Sequence, residues 1–163
     1  MNHNEEKAFI EKVFKKYNGV INTRNIAVLG EINYIDPNKK SYRDFPNVVG
    51  IDLPMIDSAA NSDNDKKFMM LTELMINLYL ADINVIYYYI KVGYEPGVLG
   101  NVAKYKAFKY VDDHRDEIAK EFNISFDDIV DKRIQIGTYG YSLYDNYVRT
   151  TLDSHTLFFM GCI

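Results

Sequence analysis

Residues 74–90 read LMINLYLADINVIYYYI, the longest apolar stretch of the chain. How it is read decides the fold. It is long enough for a membrane span, for one buried helix, or for a helix followed by a strand. Asp82, Asn77 and Asn84 argue against the span, because polar and ionisable groups are costly in hydrocarbon. The stretch is therefore core. Around it the polar positions Lys66, Glu73, Asn77, Asn84 and Lys91 are spaced 7, 4, 7 and 7 residues apart. That spacing keeps one polar stripe on a helix that could run to Val92, with Gly93 as its C-cap. Two features oppose it: Asp82 would sit on the apolar side, and INVIYYYIKV is strongly strand-like. The pattern favours helix from Lys66 to about Ala81 and leaves 83–92 open between helix and buried strand.

Upstream, Asn4 is placed to cap a helix from Glu5 to Tyr17. Its Phe9, Ile10, Val13, Phe14 and Tyr17 fall on one stripe, and Gly19 ends it. NIAVLGEINYI (25–35) and NVVGIDL (47–53) read as strands, separated by a polar turn. They are expected to pair as a hairpin. Residues 57–65 form a polar loop. Downstream, GYEPGVLG (93–100) holds three glycines and a proline, and is expected to be a hinge or contact loop. Asn101 would then cap a helix to Phe122. A short helix capped by Ser125, a strand at KRIQIG, an amphipathic helix after Ser142 and a strand at 156–160 complete the pattern. The expected class is α+β: a helix-rich single domain, 1–163, with a small, mostly antiparallel sheet.

Composition narrows the function. Apolar residues make up 47% of the chain and charged residues 26%, so it can bury a core without staples. The net charge is −4 and no basic cluster stands out, which disfavours a nucleic-acid partner. One cysteine allows neither an internal disulfide nor a cysteine zinc cage. The first residues, MNHNEEKAF, lack the pattern of a signal peptide. The expected location is cytoplasmic or within a virion, with no membrane partner. No cofactor is expected.

Four stretches resemble chemical motifs. IAKEFNISFDDIVDKR (118–133) resembles two helices of a helix-turn-helix, but it would aim Asp127, Asp128 and Asp131 at phosphates. A packed helical corner is the better reading. VDDHRDE (111–117) gathers metal-ligand types. On a helix, however, Asp112 and Asp116 share one face while His114 points toward the stripe of Ala107, Val111, Ile118 and Phe122. VVGIDLPMIDSA (48–59) resembles the first strand of RNase H-like nucleases. That resemblance implies Asp52 as a magnesium ligand, with Asp57 or Glu31 as a second. The further acids this family needs are not identifiable in the sequence. NSDND (61–65) has oxygen ligands but lacks the glycine and distal glutamate of a calcium loop, and reads as a helix cap. There is no nucleophile elbow and no P-loop.

Aromatic surface is what remains. Tyr87, Tyr88 and Tyr89 are consecutive and cannot share one face of either a helix or a strand. Tyr139, Tyr141, Tyr144 and Tyr147 cluster within YGYSLYDNY. The apolar tail HTLFFMGCI adds Leu157, Phe158, Phe159 and Ile163. These residues are the expected interface. The leading expectation is a non-enzymatic structural or assembly protein that self-associates through protein–protein contacts. Its concrete form is a tailed-phage virion component such as a head–tail connector ring subunit, where heterologous interfaces close a ring. The alternative is an acidic inhibitor masking a basic enzyme surface. A second alternative is a metal-dependent phosphoesterase using Asp52 or the Asp112–Asp116 cluster.

Overall fold

A computed structural model describes residues 1–23, 27–29, 48–51, 53–90 and 96–129. The side chains of 48, 84–90 and 96–101 lie outside that description. The elements in chain order are α1 (His3–Tyr17), β1 (Val28–Leu29), β2 (Val48–Val49), α2 (Leu53–Ala59), α3 (Asp63–Ile90), α4 (Pro96–Asp113) and α5 (Arg115–Phe122).

The first helix begins earlier than expected. Asn2 rather than Asn4 caps it: Asn2 Oδ1 accepts from the Glu5 amide at 2.9 Å, and Asn2 Nδ2 donates to Glu5 Oε1 at 2.9 Å. This reciprocal pair satisfies one orphan donor at the helix start. Gly19, at φ +69, turns the chain out of the helix.

The open question at 83–92 resolves to helix as far as Ile90. Ser62 caps the helix α3: the Asp65 amide donates to Ser62 Oγ at 3.0 Å, and Asp65 Oδ2 accepts from the amide of the preceding Asn61 at 3.3 Å. Asp65 is fully buried, so NSDND is a cap rather than an ion loop. Strand propensity in INVIYYYI yields because a helix already nucleated and packed on several sides extends at low cost. Asp82, on the apolar side as anticipated, is 4% exposed.

The helix-rich half of the expected class is observed, with five helices among the described residues. Among the described residues the β structure is a two-residue pairing of Val28 with Val48 and Leu29 with Val49, parallel rather than the antiparallel hairpin expected of these two segments. The strand expected over 47–53 is also too long. Leu53 starts α2, whose Pro54 sits in the first turn, where its missing N–H costs no helical hydrogen bond. The same physics moves the start of α4. Pro96 opens that helix, so 96–100 is helical rather than a hinge, and Asn101 lies inside. Residues 93–95 lie outside the described set.

The helix expected over 101–122 is broken at His114, which leaves helical geometry at φ −123, ψ 27. Asn123 closes α5 in the left-handed region, and its amide bonds back to the Ala119 carbonyl. The short helix expected from Ser125 is a single turn over the described residues. The later elements, from KRIQIG onward, lie outside the description.

The central element is α3. It packs against α4 most extensively, and also against α1, α2 and β2. Met70, Leu71, Leu74, Met75 and Leu78 of α3 are fully buried, as are Val102, Ala103 and Ala107 of α4. The two alanines allow close helix approach. Phe122 closes the other side, 5.8 Å from the rings of both Phe9 and Tyr17. Among the described residues, no helix is long and apolar enough to cross a membrane.

Candidate functional site

Of the expected interface residues, Tyr87, Tyr88 and Tyr89 lie on the last turns of α3. Tyr139, Tyr141, Tyr144, Tyr147, Leu157, Phe158, Phe159 and Ile163 lie outside the described residues. Three consecutive positions on a helix are spread over about 200° of its circumference.

Among the described residues, the candidate metal-binding stretches do not converge. Asp113 pairs with Lys109 at 3.2 Å and Asp112 with Arg115 at 3.7 Å. His114 is half-buried and stacks on Tyr110, with ring centroids 4.0 Å apart. Its Nδ1 lies 2.8 Å from the Tyr110 carbonyl. Among the described residues, no three His, Cys, Asp or Glu side chains are grouped to hold a metal. Asp57 pairs with Lys66, while Asp52 and Glu31 lie outside the described set.

The strongest charged cluster is one the sequence did not suggest. Lys66 Nζ reaches Glu6 Oε1 at 2.8 Å and Asp57 Oδ1 at 2.6 Å, so one ammonium joins α1, α2 and α3. His3 Nδ1 stands 3.7 Å from the other Glu6 oxygen. Glu6 is 5% exposed. The hydrogen bonds to Asp57 and then Glu6 raise the Lys66 pKa above its ordinary value. Spacing could have shown Glu6 only as an ordinary first-turn acid.

A second charged seam joins α1 to α5. Lys16 pairs with Glu117 at 3.3 Å and Glu121 at 3.8 Å, and Lys12 donates to the Glu121 carbonyl at 2.8 Å. Both ammonium groups lie over the Phe122 ring, at 5.2 Å and 5.6 Å. Such contacts favour cations over an aromatic face. Beneath the seam, burial and then the neighbouring charges of Tyr110, Glu117 and Glu121 push the Tyr17 hydroxyl pKa up. These acids of α5 therefore face α1 in exposed ion pairs of modest strength. Asp116, Asp127 and Asp128 remain exposed.

Two further features belong to the first half of the chain. Among the described residues, Val20, Val28 and Met55 are the large apolar residues most exposed, at 58%, 51% and 42%. In addition, among the described residues the Tyr17 hydroxyl, Asn18 Oδ1 and both side-chain polar atoms of Asn22 are buried without a hydrogen-bond partner.

Comparison with family models, curated proteins and solved structures finds no match for this chain.

Proposed function

We propose that the chain is a non-enzymatic assembly protein that works through contacts with further copies of itself, in the manner of a ring subunit in a tailed-phage virion. The observation that carries this reading is the course of α3 through Tyr87–Tyr89. Three successive aromatic positions on one helix cannot all meet a single core, because each step rotates by about 100°. Tyrosine suits the positions left over, with a large rigid ring and a hydroxyl that tolerates water. The tyrosine cluster at 139–147 and the apolar residues 157–159 supply candidate second patches, as a heterologous interface requires.

Native mass measurement over a range of concentrations tests the reading. Assemblies larger than a monomer are expected, and polar substitution of Tyr87, Tyr88 and Tyr89 together is expected to dissociate them. A strict monomer at high concentration would sink it.

The acidic-inhibitor reading is favoured by one observation. Asp116, Asp127 and Asp128 are exposed at one end of the chain's described part. It requires a complex with a cationic protein that weakens steeply with salt. Charge reversal at those three positions that left binding intact would exclude it.

A further inference from the structure

The helix α1 hands the chain on through Asn18 and Gly19, and Gly19 is the only glycine of the sequence that follows an asparagine. Asn18 is the C-cap. Its amide still bonds to the Phe14 carbonyl, but at φ −56, ψ 150 it has left helical geometry. Gly19 follows at φ +69 and is exposed, with nothing within 4 Å of the place where a Cβ would stand. A glycine nitrogen is the backbone amide least screened by its own residue. On its other side, Asn18 Nδ2 donates to the Ala27 carbonyl at 3.2 Å, the long end of the ordinary range. That bond ties the end of α1 to the residue before β1.

The Gly19 nitrogen and Asn18 Cγ are covalent near-neighbours, and joining them closes a five-membered ring without any outside reactant having to be positioned. We propose that Asn18 is a self-modifying site, at which the Gly19 amide nitrogen attacks the side-chain carbonyl carbon. The new C–N bond closes the ring as the Cγ–Nδ2 bond breaks, and the Gly19 proton departs with Nδ2 as ammonia. One water then opens the cyclic imide at either of its carbonyls, which leaves an aspartate or an isoaspartate at position 18. The product lacks the NH2 that holds Ala27. It also brings a carboxylate to a side-chain oxygen that is buried, at the C-terminal end of a helix, where negative charge is unfavourable. Each converted molecule is therefore untied between α1 and β1, and hydrolysis does not run back.

The experiment keeps the full chain folded in mildly alkaline buffer, samples it over weeks and digests each sample with trypsin at mildly acidic pH. Cleavage after Lys16 and Arg24 releases residues 17–24, which carry Asn18 and, as an internal comparison, Asn22. The peptide is expected to gain about 1 Da at Asn18, the exchange of NH for O, and to split into two chromatographic species. Asn22 precedes the β-branched Thr23 and is expected to stay unchanged. Asn61, exposed and followed by Ser62, should convert later than Asn18. Gly19→Ala screens the attacking nitrogen and should slow the conversion by about tenfold. Asn18→Asp carries one product from the start, and should keep its far-UV circular dichroism while hydrogen exchange at β1 becomes faster. Three results would overturn the proposal: Asn61 converting before Asn18, a rate in Gly19→Ala equal to or above that of the wild type, or β1 exchange in Asn18→Asp no faster than in the wild type.

Discussion

Lys66 shows how one residue can carry more than its surroundings in sequence suggest. Read by spacing, it marks the edge of the polar stripe on α3. In the fold it is the shared cation of a buried Glu6 and an exposed Asp57. Breaking a buried pair costs more than the pair contributes, because it strands the remaining charge. Lys66→Met is therefore expected to destabilise the protein by ~2–4 kcal/mol in a denaturant melt. Adding Glu6→Leu should recover much of that loss, since the stranded carboxylate is gone. If the double variant were as unstable as the sum of the singles, Glu6 would not depend on Lys66. Asn77 is another case. It lies on the same polar stripe, yet its Nδ2 donates to the Gly50 carbonyl at 2.8 Å and ties α3 to the segment after β2.

At the scale of elements, periodicity found the helices better than their ends. Of the stripe Phe9, Ile10, Val13, Phe14 and Tyr17, all are buried except Phe14, which is half-buried. Of the stripe Ala107, Val111, His114, Ile118 and Phe122, His114 alone is half-buried, and the helix carrying the stripe breaks there. The break leaves the helical spacing unmarked in sequence: Tyr110 and His114 keep the i, i+4 register, and the amide of Ile118 still bonds to the His114 carbonyl at 2.9 Å. Prolines mark helix starts in this chain: Pro54 and Pro96 both stand in first helical turns, where proline is tolerated. The end of α5 permits a clean test. Asn123 has φ 52, a conformation asparagine tolerates and β-branched residues do not. Asn123→Gly should be neutral or stabilising, while Asn123→Val should cost ~1–2 kcal/mol, read as a difference in melting temperature. Equal stability of the two variants would show that this turn contributes no backbone strain.

Across the whole molecule, α3 is the axis and the other elements are fastened to it from several sides. Lys66 fastens α1 and α2. Asn64 fastens the turn after α5 by a reciprocal pair with Ser125, at 2.8 Å in each direction. Phe68 meets Phe126 edge-on at 5.5 Å. The Lys66 cluster predicts a pH dependence. The folded pKa is raised above the ordinary 10.5, so the folded state holds this proton more tightly than the unfolded chain does. The stabilisation is fully present below pH 10.5 and disappears as pH rises through the raised value. Wild-type protein should lose stability on that alkaline limb, and Lys66→Met should show a flatter one. Parallel limbs in the two proteins would remove Lys66 as the cause.

Amphipathic period and apolar content are local and additive, so the sequence alone already placed a helix over 74–81 at the core of a helix-rich, acidic chain. It also pointed to tyrosine-bearing segments that one core cannot absorb. Only the tertiary structure decided that α3 continues to Ile90, that β1 and β2 run parallel, and that Glu6, Asp57 and Lys66 meet. Those outcomes depend on contacts between residues as much as 60 positions apart. Local propensity differs by only ~1 kcal/mol per residue between alternatives, so long-range packing selects among them.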